Sequence, residues 1–278
     1  MKEDMQDANK IQIDFTGAPQ TMLATLYAKA LDADADHPIL ADPFAKELVS
    51  RINYDWRQTT ITARSAPQVV VRSAYLDNWA RQFLAVHEQA IVLHVGCGLD
   101  SRAFRLNPKP AVQWYDIDYP DVIALREKLY PARENYHLVP ASVTEPEWLT
   151  TIPPDRAVLM IAEGLTMYLT QEDGIALLRG VVERFPSGEL QFDVFNRFAI
   201  RTQKINGAVR RSGSILHWGV DGPDEIVRAV PSVRLLCAVS VFDTDTFRQV
   251  RPAYRILGRV MSFVPALGKM QQFHRYAF

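Results

Sequence analysis

The residues with the clearest chemical meaning lie in a glycine turn that follows a short apolar run. Residues 90–94 are of strand type, and Gly96 and Gly98 interrupt them at once. Glycine suits such a turn because a ligand pressed against bare backbone leaves no room for a Cβ atom. Asp100 or Ser101 is expected to cap the helix that follows, whose free N–H groups face the same ligand. The stretch therefore predicts a strand, a ligand-binding turn and a helix.

The spacing after this turn indicates what kind of ligand it takes. A dinucleotide-binding turn would carry a third glycine, and Ser101 and Arg102 stand at that place. The missing glycine favours a nucleoside ligand without a pyrophosphate. A second strand, residues 111–118, ends in carboxylates about twenty residues after the glycines. Asp118 or, as the alternative, Asp116 can accept both hydroxyls of a ribose.

The elements that position these residues resemble a known family. The sequence is similar to the leucine carboxyl methyltransferase family, in particular its bacterial branch of polyketide carboxyl O-methyltransferases of the tetracenomycin type. The similarity is carried by Gly96, Gly98, Asp118, the stretch Glu163-Gly-Leu-Thr-Met-Tyr168 and the stretch Val71-Arg72-Ser-Ala-Tyr-Leu-Asp77. It implies an α/β fold of the class I methyltransferases, Rossmann-like, with a mostly parallel seven-stranded sheet, helices on both faces and an antiparallel last strand. The implied cofactor is S-adenosyl-L-methionine, with S-adenosyl-L-homocysteine as product.

The resemblance assigns three residues to the methionine end of this cofactor. Lys29 in a leading helix and Arg72 in a later one match the cations that hold the methionine carboxylate in the family. A guanidinium can form a bidentate pair with a carboxylate. Glu163, directly after the fourth strand, matches the family glutamate near the methionine and the transferred methyl group. A buried carboxylate needs a partner, for which the ammonium group and a plain salt bridge are both suitable.

The resemblance also assigns the nucleoside end. Gly96 and Gly98 would pass beneath the methionine part, and Asp118 would accept from the ribose, with Asp116 as the alternative. The family carries an acid after the third strand for the adenine amino group, and this chain has Ser142-Val143 there. A hydroxyl or backbone contact from these two residues must replace that acid.

The acceptor oxygen decides whether a general base is needed. A carboxylate is already ionised at pH 7, so the enzyme need only position it and exclude water. A phenol, with a pKa of about 10, would benefit from a base. The candidates are Tyr168, which the resemblance places at the methyl pocket, His217 and Asp193. A core tyrosine and an exposed histidine are the structural alternatives for the first two.

The order of the elements predicts two parts. Residues 1–88 form an N-terminal helical extension over the cofactor mouth, with helices from Thr21, from Pro43 after the cap Asp42, and over residues 69–86. Residues 89–278 form the methyltransferase domain, in which strands and helices alternate. An insertion of about residues 196–230 between strands five and six is rich in arginine and is a candidate lid over the acceptor. A solvated helix face is its other interpretation.

Composition excludes several classes of function. The chain has 278 residues, of which 48% are hydrophobic and 23% charged, with a net charge of −1. This balance leaves no electrostatic footprint for nucleic acid or an anionic membrane. The polar N terminus and the lack of long apolar runs predict a cytoplasmic protein. Cys97 and Cys237 are expected to stay reduced, and no spacing of metal ligands is present, so no metal is expected.

Three functions remain open at this stage. The preferred one is an S-adenosylmethionine-dependent O-methyltransferase that acts on an oxygen, most simply a carboxylate, of a small polyketide-like or aromatic metabolite. The second is a protein C-terminal carboxyl methyltransferase; the aromatic residues after strand five favour an apolar pocket over a peptide groove, namely Trp218, Phe242, Phe247 and Tyr254. The third is a non-catalytic nucleoside-binding module. The sequence names neither the acceptor nor the oligomeric state.

Overall fold

A seven-stranded, mostly parallel sheet forms the centre of the computed structural model, which describes residues 10–13, 19–205 and 214–278. Its strands are β1 (Ala90–Val95), β2 (Gln113–Asp118), β3 (Tyr136–Pro140), β4 (Ala157–Ala162), β5 (Gly188–Phe195), β6 (Arg234–Ser240) and β7 (Gln271–Ala277). They lie in the order β3-β2-β1-β4-β5-β7-β6. Only β7 runs antiparallel to its neighbours β5 and β6 in this sheet. The predicted class I arrangement and its antiparallel last strand are confirmed.

Helices cover both faces of this sheet. They are α1 (Pro19–Ala33), α2 (Pro43–Arg51), α3 (Ala66–Val86), α4 (Arg102–Leu106), α5 (Pro120–Leu129), α6 (Glu147–Thr150), α7 (Gln171–Arg184), α8 (Arg197–Arg201), α9 (Pro223–Ala229), α10 (Pro252–Ser262) and α11 (Pro265–Gly268). Local sequence sets several of their starts. The Asp42 side chain accepts from Phe44 N with Pro43 next to it, which confirms the predicted start of α2. Residues 247–249 form a separate single turn before α10, which begins at Pro252.

The leading helices α1, α2 and α3 share a core with the sheet. Leu23, Leu48 and Phe83 pack in one buried cluster with Val92 of β1 and Trp114 of β2. The predicted N-terminal extension therefore packs directly on one face of the sheet. Its treatment as a separate unit of residues 1–88 stays a prediction.

The segment between β5 and β6 is described in two parts. Asn196 caps α8 through its side-chain oxygen, which accepts from Ala199 N at 2.9 Å. Arg210 and Arg211, on which the lid prediction partly rests, lie outside the described residues. After them Trp218 is buried, and its ring leaves no room for a Cβ atom on Gly174 of α7. This part of the predicted lid belongs to the core, and the lid itself stays a prediction.

The aromatic residues assigned to an acceptor pocket also lie in the core. Phe247 is buried beside Val71 and Trp79, and Phe242 and Tyr254 pack against the same cluster. They give β6 apolar cover on this side of the sheet, and their role as an acceptor pocket stays a prediction. None of the helices in the described part of the chain combines the length and apolar composition that crossing a bilayer requires. Within the same residues, no group of His, Cys, Asp or Glu is arranged to hold a metal ion.

Candidate cofactor and acceptor site

The glycine turn at the carboxyl end of β1 presents bare backbone. Gly96 and Gly98 have φ angles of +63° and +50°, a region that side chains rarely adopt. Gly98 N donates to Asp118 Oδ2 at 2.7 Å, which ties the turn to the end of β2. A Cβ atom on Gly98 would lie 3.0 Å from Met22 Cγ of α1. Backbone atoms, and not side chains, are therefore what the turn offers to a ligand.

Asp118 lies where a ribose-binding acid is required. It is the last residue of β2 and half-buried, and its second oxygen accepts from Tyr119 N at 2.8 Å. A carboxylate oxygen has two lone pairs, so each oxygen retains one for a ligand hydroxyl. Burial raises the pKa of Asp118 above its ordinary value, although the bond from Gly98 N opposes this. A half-buried carboxylate with spare acceptor capacity fits a diol.

The alternative, Asp116, is corrected by the geometry. This residue is fully buried. Its Oδ1 accepts from His94 Nδ1 at 3.0 Å and from Trp114 Nε1 at 2.9 Å. Its Oδ2 accepts from Arg126 Nη2 and from Tyr136 OH. All four lone-pair positions are taken, so Asp116 has no capacity left for a ribose.

Asp118 gives a pH-dependent prediction. A carboxyl group accepts hydrogen bonds from hydroxyl groups best when it is ionised. Because the pKa of Asp118 is raised, this residue takes up its proton at a pH above the ordinary value of 3.8. We expect the affinity for S-adenosylhomocysteine to fall as the pH drops through this pKa. Asp118→Asn should weaken binding at pH 7 by roughly three- to tenfold and remove the acid-side decline. Calorimetric titration of both proteins from pH 7 downward checks this, and a parallel decline in both would contradict it.

The methionine end is built around Glu163, at the carboxyl end of β4. Glu163 Oε1 accepts from Arg72 Nε at 3.0 Å and from Ser73 Oγ at 2.7 Å, both on α3. Glu163 Oε2 accepts from Arg102 Nη2 of α4. Burial opposes ionisation here, but Arg102, Lys29 and Arg72 outweigh it and hold the pKa of Glu163 well below its usual range. Glu163 is therefore an anion at neutral pH.

Arg72 joins this glutamate to Asp193 on β5. Its Nη1 donates to Asp193 Oδ2 at 3.2 Å, and its side chain is 17% exposed. The guanidinium also lies beside Gly164, whose φ is +65° and whose Cβ position would be 3.0 Å from Arg72 Nη2. Glu163 and Asp193 thus hold Nε and Nη1 of Arg72, while part of the side chain reaches solvent. A ligand carboxylate can approach that exposed part of the guanidinium.

Sequence reasoning missed an ion network behind these residues. Lys29 Nζ lies 3.0 Å from Asp100 Oδ1, and the predicted capping role of Asp100 is replaced by this pair and a second one with Arg105. Arg105 also donates to Asp77 Oδ2 at 2.6 Å. Ser101, the other candidate cap, donates to Asp42 instead. The signal that could have found the network is Arg102-Ala-Phe-Arg105, two cations on one face of an otherwise apolar turn.

Ser142 and Val143 lie beside the nucleoside end. Ala141 N donates to the backbone carbonyl oxygen of Asp118 at 2.9 Å, which places the chain after β3 next to Asp118. Ser142 Oγ lies 2.8 Å from Thr144 Oγ1. Tyr119, which follows Asp118, is 58% exposed and was missed as a candidate aromatic surface. An adenine contact from these residues remains a proposal.

The three candidate bases differ in their surroundings. Burial raises the pKa of Tyr168, whose ring packs in a small cluster with Met167 and Leu216. Asp193 is fully buried and accepts from Gly164 N at 2.6 Å, from Arg72 and from Gln271 Nε2 at 3.0 Å. His217 is exposed, and its backbone N–H donates to Met167 O. Tyr168 is held protonated and Asp193 serves to position Arg72.

Taken together, the donor set fits S-adenosylmethionine. The site offers cations for a carboxylate, an anion for an ammonium group and a half-buried carboxylate for a diol, in the order in which this cofactor carries them. The bare turn between them, in which a Cβ atom would meet neighbouring side chains at 3.0 Å at both glycines, suits a ligand that lies against backbone.

The chain is similar to known proteins in sequence and in fold. The family model described as leucine carboxyl methyltransferase matches residues 21–182. The tetracenomycin polyketide synthesis O-methyltransferase TcmP of Streptomyces glaucescens is 41% identical over 96% of this chain and 98% of its own. The S-adenosyl-L-methionine-dependent methyltransferase dpfgK of Gibberella zeae is 34% identical over 81% and 83%. A candidate methyltransferase structure from Thermobifida fusca YX aligns with a TM-score of 0.59 at 15% identity, over 90% and 93%, and supports the fold alone.

Proposed function

This chain belongs to the leucine carboxyl methyltransferase family, and we propose that it methylates a carboxylate of a small polyketide-type or aromatic metabolite. That it is an S-adenosylmethionine-dependent O-methyltransferase follows from its relatives. The match to TcmP covers nearly the whole of both chains and supports an acceptor of the polyketide type. That the methylated group of the acceptor is a carboxylate is the part that we propose.

The residues of the chain would share the work as follows. When bound, the cofactor would supply an electrophilic methyl group: the acceptor oxygen would bond to its carbon as the sulfur leaves in line as the neutral thioether of S-adenosylhomocysteine. Lys29 and Arg72 would hold its carboxylate, Glu163 its ammonium group and Asp118 its ribose. Gly96 and Gly98 would pass beneath it. Helix α1, whose Met22 lies over Gly98, would form part of its cover.

The observation that carries the carboxylate is the state of the titratable groups around Glu163. Among the described residues, Arg72 and Glu163 are paired as ions, and Asp193 is held by Arg72, Gly164 N and Gln271. Tyr168 is kept protonated by burial, so it cannot take a proton near neutral pH. A carboxylate acceptor needs no such group, because it is ionised already and requires only orientation and exclusion of water. A phenol, by contrast, would need a base.

The test is methyl transfer to an aromatic polyketide acid that carries both a carboxyl and phenol groups. The matched control is the same compound with its carboxyl converted to an amide. We expect product from the acid alone, and mild alkali should hydrolyse it back to the acid as it does a methyl ester. An alkali-stable ether, or equal transfer to the amide, would overturn the carboxylate. Transfer only to a peptide C terminus would favour the protein methyltransferase instead.

His217 provides an independent prediction for the same proposal. Because its side chain is exposed and a carboxylate acceptor needs no base, His217→Ala should change kcat/KM by less than about twofold. Steady-state kinetics at pH 7 measure this. A general base contributes roughly 100-fold or more, so a loss of that size would instead place His217 at the acceptor oxygen.

A further inference from the structure

A continuous hydrogen-bonded chain runs beneath the glycine turn from one end of the site to the other. It begins at Glu163, at the methionine end, and finishes at Asp118, at the ribose end. Its contacts are Glu163 Oε2 to Arg102 Nη2, Arg102 Nη1 to His94 Nε2 at 3.1 Å, His94 Nδ1 to Asp116 Oδ1 at 3.0 Å, Asp116 Oδ2 to Arg126 Nη2, Arg126 Nη1 to Gly98 O at 2.7 Å, and Gly98 N to Asp118 Oδ2 at 2.7 Å. We call this chain the His94 relay.

The interior members of the relay are shielded from water. Arg102, Asp116 and Arg126 are 0% exposed and His94 is 1% exposed. Hydrogen bonds between charged groups in such surroundings are stronger than in water, and a group that loses its partner there is costly. A shift of one member is therefore passed to the next more readily than it would be at the surface.

His94 is the member with two distinct roles. Arg102 has only donors, so His94 Nε2 must accept from it, and the ring proton then lies on Nδ1 and donates to Asp116. The parallel register pairs His94 of β1 with Asp116 of β2, which places the ring between the two halves of the site. A shorter path also exists, since Asp100 Oδ2 lies 3.4 Å from Arg102 Nη1 and Asp100 O accepts from Arg126. It lacks a bond at the first of these contacts, and the bonded route that leaves out His94 is longer, running from Arg102 through Asp77, Arg105 and Asp100 to Arg126.

We propose that His94 is a positioning residue that couples the two ends of the cofactor site. Glu163 orients Arg102, Arg102 sets the tautomer of His94, and His94 with Arg126 holds Asp116 and thereby the carbonyl of Gly98. The state of the methionine end then sets how well the turn and Asp118 are placed for a ribose. This inference rests on the proposed placement of the cofactor, and it concerns the protein before any reaction.

The test uses adenosine, which carries the ribose and adenine but lacks the sulfur and the amino acid, so that it does not reach Glu163. Glu163→Gln removes the negative charge that pairs with Arg102 and so weakens the first contact of the relay. We expect it to weaken adenosine binding by about three- to tenfold in the otherwise unchanged protein. In a His94→Asn background, which keeps the bond to Asp116 and loses the one to Arg102, the same change should weaken adenosine binding by less than about twofold.

A second variant of His94 keeps the test decisive if the His94→Asn protein does not fold. His94→Gln keeps an oxygen that can accept from Arg102 but loses the imidazole Nδ1–H that Asp116 accepts, so it disturbs the relay at the next contact with the same expected result. Folding of each variant is checked by circular dichroism, and titration of the unchanged protein with S-adenosylhomocysteine shows that it has the proposed site. An equal effect of Glu163→Gln in all backgrounds, no effect in any, or no adenosine binding by an unchanged protein that binds S-adenosylhomocysteine would overturn the relay. Failure of the unchanged protein to bind S-adenosylhomocysteine would overturn the proposed function instead.

Discussion

Replacing Arg102 with methionine is expected to lower the free energy of unfolding by about 3–5 kcal/mol, the cost of removing one partner from a buried ion cluster. Arg102 is fully buried and donates to Asp77 Oδ1 at 2.7 Å and to Glu163. A methionine fills much of the same volume, so the loss is electrostatic more than one of packing. Urea unfolding followed by circular dichroism measures it.

The matched control for Arg102 is a surface ion pair. Lys109 Nζ lies 2.6 Å from Glu88 Oε1, and both side chains are largely exposed. Pairs of this kind gain little because water solvates both partners when they part. Lys109→Met should leave the unfolding midpoint unchanged within error. Equal effects of the two substitutions would show that the buried cluster does not depend on Arg102.

Replacing Arg72 with alanine is expected to weaken binding of S-adenosylhomocysteine by about 1–3 kcal/mol, or roughly 5- to 150-fold in Kd. The fold should survive this change. Glu163 would keep Ser73 and Arg102, and Asp193 would keep Gly164 N and Gln271. The loss is then that of a charged donor for the ligand carboxylate. Isothermal titration calorimetry measures the affinity directly.

Arg81 on the same helix is the control for Arg72. Its side chain is 54% exposed, and its Nη2 lies 3.9 Å from Asp77 Oδ2 and not beside Glu163 or Asp193. Arg81→Ala removes the same charge from α3 and should leave the affinity unchanged. Unchanged affinity in Arg72→Ala as well would remove Arg72 from the cofactor site.

The helix caps, the glycine turn and the sheet could be predicted from the sequence. The caps of α2 and α7 follow from Asp42 and Thr170, because a side-chain oxygen at that place satisfies a free N–H group of the first turn. Gly96 and Gly98 were identified because few other residues adopt positive φ. Strand and helix periodicity, with the family resemblance, was enough to predict the parallel sheet and its antiparallel last strand.

Tertiary structure decided what similar residues do. Asp116 and Asp118 are two apart on one strand, so the pleat puts them on the same face and the sequence cannot separate them. Their depth does so: Asp116 pairs in register with His94 and is fully buried, whereas Asp118 lies at the carboxyl end beside Gly98. Asp100, expected as a helix cap, instead binds Lys29 because α1 brings that cation to it from far along the chain. Local sequence determines turns, caps and strands, but only packing determines which charges meet, since burial makes an unpaired charge too costly to leave.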